Sequence, residues 1–160
     1  MNLGFYRASR TRTRYIRPSD ADAVMAIEEA SFPEPWDASY FSSVLDDPDT
    51  LGMVAEQRGS VVGYIVVQLD GHFYRIVSMA VHPSRRRQSI GTLLVAKFTE
   101  MADRGVRRTL VSAMVVEGND DACQFFCDQG FRAYAIVRDY FEQQDGTTKD
   151  GYRFVWEGQR

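Results

Sequence analysis

Val81-His82-Pro83-Ser84-Arg85-Arg86-Arg87-Gln88-Ser89-Ile90-Gly91-Thr92 joins an apolar strand-like run, Tyr74 to Val81, to an amphipathic helix that starts at Ile90. The first amides of a helix have no carbonyl partner inside it and carry the positive end of its dipole. A basic loop with small residues that runs straight into such a start suits a phosphate group, which takes several amide hydrogen bonds at once. Gly91 has no side chain, so a ligand can approach the backbone there. Three successive arginines also fit a plain solvated loop, and spacing alone leaves both readings open. The stretch is not a Walker-type phosphate loop, because no Gly-Lys-Ser/Thr triplet follows, nor a dinucleotide fingerprint, because Gly-x-Gly-x-x-Gly is absent.

Periodicity places the neighbouring elements. Arg12 to Arg17 reads as a strand stopped by Pro18. Ser19-Asp20-Ala21-Asp22 resembles a capping box, and Ala21, Val24, Ile27 and Ala30 follow at helical spacing. Phe32-Pro33-Glu34-Pro35-Trp36 breaks that helix, because each proline disfavours the helical region for the residue before it. A short helix spans Ala38 to Leu45. Strands are expected over Met53–Glu56, Val61–Leu69 and Phe73–Val81, with turns at Arg58-Gly59 and Asp70-Gly71. The helix Ile90–Arg104 carries Ile90, Leu93, Leu94, Phe98 and Met101 on one stripe and ends at Gly105. A strand over Thr109–Val116 and a helix over Asp120–Gln129 ended by Gly130 follow. A last hairpin pairs Phe131–Phe141 with Tyr152–Trp156 around a polar loop, Gln143–Gly151. The pattern predicts an α/β (α+β) domain with a mixed, mostly antiparallel sheet of six to seven strands and helices on both faces.

With 160 residues, 44% apolar and 26% charged, the chain suits one soluble globular domain, taken as residues 13–160 behind a flexible leading segment 1–12. A net charge of −3 gives no support to sequence-specific nucleic-acid binding. No apolar run approaches the ~20 residues that span a bilayer, and no signal-peptide core is present, so a cytoplasmic protein is expected. Cys123 and Cys127 share a helix face with no histidine near in sequence. They read as reduced thiols, and no metal site is expected.

Arg86-x-x-Ser89-x-Gly91, after a strand ending Ala80-Val81-His82-Pro83, resembles the acyl-CoA signature of the GNAT superfamily of N-acetyltransferases, Arg/Gln-x-x-Gly-x-Gly/Ala. The likeness extends from about Thr13 to Trp156. It is greatest to the ribosomal-protein-alanine type of protein N-terminal acetyltransferase, through Phe32-Pro33-Glu34-Pro35-Trp36, Asn119-x-x-Ala122, Gln129-Gly130-Phe131 and Arg138-Asp139-Tyr140. The resemblance implies the GNAT fold, acetyl-CoA as co-substrate and a primary amine as acceptor. That acceptor would be a protein or peptide N-terminus, or else a small amine or amino acid, and the chain would work as a monomer or homodimer.

It also implies roles. Backbone amides of Arg86, Arg87, Gln88, Ser89, Ile90, Gly91 and Thr92 would cradle the pyrophosphate. Met79, Ala80 and Val81 would pair with the pantetheine arm, which lies where the strands Phe73–Val81 and Thr109–Val116 splay apart, with the Val81 amide toward the thioester oxygen. Asn119 would reach the same arm, or cap the helix that follows, or both. Phe126 would lie at the cofactor. Phe32, Pro35 and Trp36 would line a peptide groove opposite the 143–151 loop, or cover the core. Three positions depart from the family: Ser89 where the first glycine is usual, Met114 in place of a glutamate base, and Phe126 in place of a tyrosine acid. The proton-handling groups are therefore sought elsewhere, in Tyr74, Tyr140 and Glu117, with Glu28 or Glu29 to collect the amine. Tyr74 also fits a strand aromatic packed on the core, the reading that its position favours. Met114 and Phe126 also leave room for a module that binds acyl-CoA without turnover.

Overall fold

The computed structural model describes residues 10–105 and 110–158. Seven strands form one sheet in the order β1-β2-β3-β4-β5-β7-β6. They are β1 (Arg12–Tyr15), β2 (Thr50–Gln57), β3 (Ser60–Asp70), β4 (Phe73–Val81), β5 (Leu110–Val116), β6 (Arg132–Glu142) and β7 (Thr148–Trp156). Among the described residues only β4 and β5 pair in parallel, and the other neighbouring pairs are antiparallel. The connection between β4 and β5 runs through a helix, as parallel crossovers usually do.

Helices α1 (Ala21–Ser31) and α2 (Ala38–Leu45) cover one face, and α3 (Ile90–Arg104) and α4 (Asp120–Asp128) cover the other. The expected stripe on α3 is the buried one: Ile90, Leu94 and Phe98 pack with Ile65, Val67, Val111 and Ala113 from the sheet. On the opposite face Val24, Ile27 and Phe41 pack against Val54, Tyr64, Val66 and Ala80. The strands alternate between these two cores, as the two-residue period requires.

The structure corrects several boundaries. β2 begins at Thr50 rather than Met53, and β7 at Thr148 rather than Tyr152, so the hairpin loop spans 143–147 and not Gln143–Gly151. β7 is longer than its apolar content indicates, because Asp150 and Gly151 belong to the ladder. Gly151 pairs with Val116 on one side and Val137 on the other. Thr109 and residues 1–9 of the leading segment lie outside the described residues, and Arg12 already belongs to β1. Gly105 ends α3 in an extended conformation rather than a left-handed cap, whereas Gly130 follows α4 at φ +84° as a left-handed residue does.

Asp20, not Ser19, organises the entry to α1. Its carboxylate accepts from Arg14 Nη1 at 2.7 Å and Nη2 at 2.8 Å, and from the Arg17 amide at 2.7 Å. Arg14 also holds Glu56, so one guanidinium joins β1, β2 and the start of α1. The hydrogen bonds from Arg14 hold the Asp20 carboxyl below its ordinary range against the opposing pull of burial, and the Arg17 amide adds to the effect. A carboxyl lowered in the folded state gives stability that is full above its unfolded pKa and is lost as pH falls through the folded one. Asp20→Asn is therefore expected to cost about 2 kcal/mol at neutral pH. The difference from wild type should shrink as the pH of urea denaturation is lowered below ~4.

Candidate active site

The parallel ladder between β4 and β5 is short. Phe73, Tyr74, Arg75 and Ile76 pair with Leu110, Val111, Ser112 and Ala113, and pairing stops there. Beyond that point Val77–Val81 and Met114–Val116 diverge, which is the splay that the resemblance implies. A bulge sits where the divergence begins: Val66 faces Ser78 and Val67 faces Ile76, which leaves Val77 as the extra residue of β4. The extra residue reverses the alternation. Val77 and Ser78 both lie on the α1/α2 face, and Met79 returns to the α3/α4 face.

The loop from β4 to α3 is held from several sides. His82 Nδ1 accepts from the Ser84 amide at 3.2 Å. Arg86 folds back, with Nε donating to the Val81 carbonyl at 3.0 Å and Nη2 to Ser31 Oγ at 3.3 Å. Gln57, 4% exposed, donates to Gln88 Oε1 at 3.1 Å. Arg87 and Ser89 adopt left-handed conformations at φ +63° and φ +59°. Such turns aim successive amides into one concavity. The first bond inside α3 runs from the Leu93 amide to the Ser89 carbonyl at 3.0 Å, so the amides of Ile90, Gly91 and Thr92 have no carbonyl within the helix. The left-handed φ at Ser89 accounts for the usual glycine at this position. The constraint acts through the backbone, not only through the room that a Cβ takes beside a phosphate.

Gly91 has a second use. A Cβ built there would lie 3.2 Å from Phe125 Cε2 and 3.8 Å from Met79 Cε. Phe125 of α4 thus lies against the start of α3, close to where β4 leaves β5. Phe126, expected at the cofactor, is 6% exposed and packs among Phe125, Phe131 and Phe154. Phe125 went unassigned in the sequence reading. Its signal is spacing: it lies three residues after Ala122, on the helix face that the Asn119-x-x-Ala122 motif marks. Asn119 caps α4, with its side-chain oxygen accepting from the Ala122 amide at 3.2 Å.

The other candidates separate. Tyr74 lies on the α3/α4 face within the paired part of the ladder, with its ring 6.2 Å from that of Phe98, and belongs to the core. The Glu117 carboxylate accepts from the Asp150 amide at 3.0 Å and fastens β5 to β7. Tyr140 is the candidate that the structure brings to the opening. The register slips between Val137 and Phe141, so Arg138, Asp139 and Tyr140 form a bulge. Asp150 holds it by accepting from the Arg138 side chain and the Asp139 amide, with Asp139 left-handed at φ +53°. Bulges re-aim side chains. Here Tyr140 and Met114 meet over Gly151, where an added Cβ would lie 3.1 Å from Tyr140 Cβ and 2.5 Å from Met114 Cε.

On the α1/α2 face, Phe32 and Pro35 are exposed and Trp36 is half-buried, with its ring 5.1 Å from that of Tyr40. Glu34 Oε1 accepts from the Gln144 amide at 2.9 Å, so the two loops expected to face each other are joined. Glu28, read from the sequence as an acceptor-side carboxylate, is 1% exposed and faces inward, whereas Glu29 is exposed. Among the described residues no group of metal-ligating side chains occurs.

The left-handed φ makes a testable demand on position 89. Ser89→Gly should match or slightly exceed wild-type stability, because relief of left-handed strain offsets the added chain entropy. Ser89→Val should lose about 1–2 kcal/mol, since a β-branched residue tolerates this region least. Equilibrium urea denaturation of both variants measures the difference.

Comparison with known proteins agrees with this geometry. The model of the Acetyltransferase (GNAT) family matches residues 21–131. The putative ribosomal protein bS18-alanine N-acetyltransferase of Bacillus subtilis is 27% identical over 135 residues, which covers 83% of this chain and 88% of that protein. The ribosomal-protein-S18-alanine N-acetyltransferase of Escherichia coli superposes with a TM-score of 0.81 at 22% identity, covering 94% of this chain and 96% of the other. Arabidopsis thaliana NAA60 in complex with acetyl-CoA superposes at 0.79 and 18% identity, over 92% and 98% of the two chains. The matched span contains the bulged β4, the left-handed loop and the start of α3, and on that match this chain belongs to the acetyltransferase (GNAT) family.

Proposed function

We propose that this chain transfers the acetyl group of acetyl-CoA to a primary amine, and that the amine is a protein or peptide N-terminus. The gap between β4 and β5 carries this reading. It offers unpaired strand edge on the Met79–Val81 side, with the preformed amide concavity of 86–92 where the loop meets α3. The concavity suits a pyrophosphate, and the strand edge suits the amide-bearing arm of a pantetheine. The donor half of the Asn119 amide remains for the same arm while its oxygen caps α4. Bound there, acetyl-CoA supplies an activated acyl group.

The chain's own part is to hold both reactants, to present the Val81 amide to the oxyanion, and to move protons. Tyr140 serves as the acid for the departing thiolate. Phe32, Pro35 and Trp36 form one acceptor wall and the 143–147 loop the other, joined by Glu34. The names of the B. subtilis and E. coli proteins, which act on a ribosomal protein's alanine, support an N-terminal amine. The working unit is the single domain 13–160, acting in the cytoplasm as a monomer or homodimer. No helix among the described residues is long and apolar enough to cross a membrane.

Acetyl-CoA at about one hundred times its Kd should stabilise the fold by ~2.7 kcal/mol and raise Tm. Free CoA should then be released with N-terminal peptides but not with polyamines. No thermal shift overturns the proposal, and a shift without CoA release with any amine leaves a binding module. Gly91→Val should abolish the shift by driving Phe125 out of place while the domain still folds. Tyr140→Phe should lower kcat at least ~tenfold and leave the shift intact.

A further inference from the structure

Glu28 is a buried carboxylate with an unusual set of partners. Its Oε1 accepts from the Tyr64 hydroxyl and from Ser78 Oγ at 2.7 Å, and its Oε2 accepts from the Trp36 amide at 3.3 Å. Tyr64 OH and Ser78 Oγ also lie 2.9 Å apart. Glu28 is 1% exposed and Tyr64 0%. Among the described residues no basic side chain forms an ion pair with Glu28. An unpaired buried carboxylate is costly, so an arrangement that retains one is a candidate for function.

Three oxygens make three mutual contacts, and the two hydroxyls bring one hydrogen each. With Glu28 ionised, one contact lacks a hydrogen, and a single added proton completes the set. The triangle is thus built to take up one proton.

Its only half-buried corner is Ser78, and Ser78 stands at the gap. It lies two residues beyond Ile76, the last residue of β4 paired with β5. Strict alternation would turn it toward α3, and the bulge at Val77 turns it toward α1 instead. Met114, across the gap, has no proton chemistry. Its neighbours Ala113 and Val115 pack on the α3/α4 face, so Met114 shares the α1/α2 face with Ser78 and Tyr140.

We propose that Ser78 is the catalytic hydroxyl that receives the acceptor's proton, and that Glu28, held by Tyr64, is the buried carboxylate that takes the proton from it. This rests on the acetyltransferase reading of the site. The bound ammonium gives one proton to Ser78 Oγ as Ser78 passes its own hydrogen to Glu28. The neutral amine nitrogen then bonds to the thioester carbonyl carbon. The carbon–sulfur bond breaks as Tyr140 gives its hydroxyl hydrogen to the leaving sulfur, and the second amine proton restores the Tyr140 hydroxyl, giving amide and thiol. Glu28 returns its proton to water through Ser78, so one proton is released per turnover.

Other charged or titratable groups near α1 are committed elsewhere. Glu34 turns to Gln144, Arg86 holds Ser31 one turn further along α1, and Arg75 of the same sheet face donates to Gln68. Tyr40 of α2 packs against the Trp36 ring. Burial first, and Glu28 second, raise the Tyr64 hydroxyl far above its ordinary range, so it remains a donor throughout.

The test is the pH dependence of kcat/KM for a peptide that the full chain acetylates. Glu28→Gln and Ser78→Ala should fall at least ~tenfold below wild type near pH 6.5. The gap should close to within ~threefold above pH 9, where the free α-amine, of pKa ~8, is already neutral. Acetyl-CoA should raise Tm in both variants as in wild type, and Ser78→Thr should restore the rate. Ser78→Ala leaves the Trp36 contact untouched, so it separates proton transfer from loop support. A loss that is equal at all pH, or confined to KM, overturns the relay while the acetyltransferase reading stands. A wild type that acetylates no amine overturns both.

Discussion

The site depends on the point at which β4 and β5 stop pairing. A parallel ladder could have run their full length, yet it ends at Ile76 and Ala113. The two strands are held by different partners beyond that point. β4 continues against β3 to Gly63, and β5 continues against β7 to Gly151. Phe98 and Leu94 fill the core beneath the closed part of the ladder, while Phe125 and Met79 lie beside the open part. Unpaired strand edge inside a domain is unfavourable unless water or a ligand satisfies it. Here the neighbouring strands enforce it, and the chain is left with amides that a linear, amide-bearing ligand can use.

The β4–α3 loop shows the same strategy at a smaller scale. Left-handed residues at 87 and 89 cost on the order of 1–2 kcal/mol each. They persist because Gln57 fixes Gln88, His82 fixes Ser84, and Arg86 reaches back to Val81 and Ser31. The concavity is thus formed before any anion arrives, and binding need not order it. This also explains why much of the arginine run is structural in effect. Arg86 spends its guanidinium on the loop itself, and the amides are what remain for a phosphate.

What could be read from the sequence follows from how local each feature is. The stripe of α3, the proline-broken 32–36 segment and the basic loop are contiguous, so their periodicity and punctuation show. The bulges at Val77 and at Arg138–Tyr140 have no such mark, because an extra residue in one strand is defined only by its partner's register. Ser78 was missed for that reason, since plain alternation sends it to the other face. Glu28 reads from the sequence as a carboxylate on the acceptor side, although it falls on the stripe of Val24 and Ile27 and is buried with them. A carboxylate inside an apolar stripe was the available clue. Phe126, the family position, is buried among other aromatic rings, and its neighbour Phe125 is the side chain that lies against Gly91. The length of β7 was hidden because its first residues are polar and paired at the outer part of the sheet.

The absence of a carboxylate at Met114 is consistent with the presence of one at Glu28. Both positions belong to the α1/α2 side of the same opening, one directly and one through Ser78. A second carboxylate on the same side of the sheet would repel the first. Among the described residues no ion pair joins a cation to Glu28, and Arg86 and Arg75 donate to other groups. An apolar Met114, resting on Gly151 beside Tyr140, avoids that repulsion. On this argument Met114→Glu in the intact chain adds a competing charge on the side of Glu28 rather than restoring a missing base.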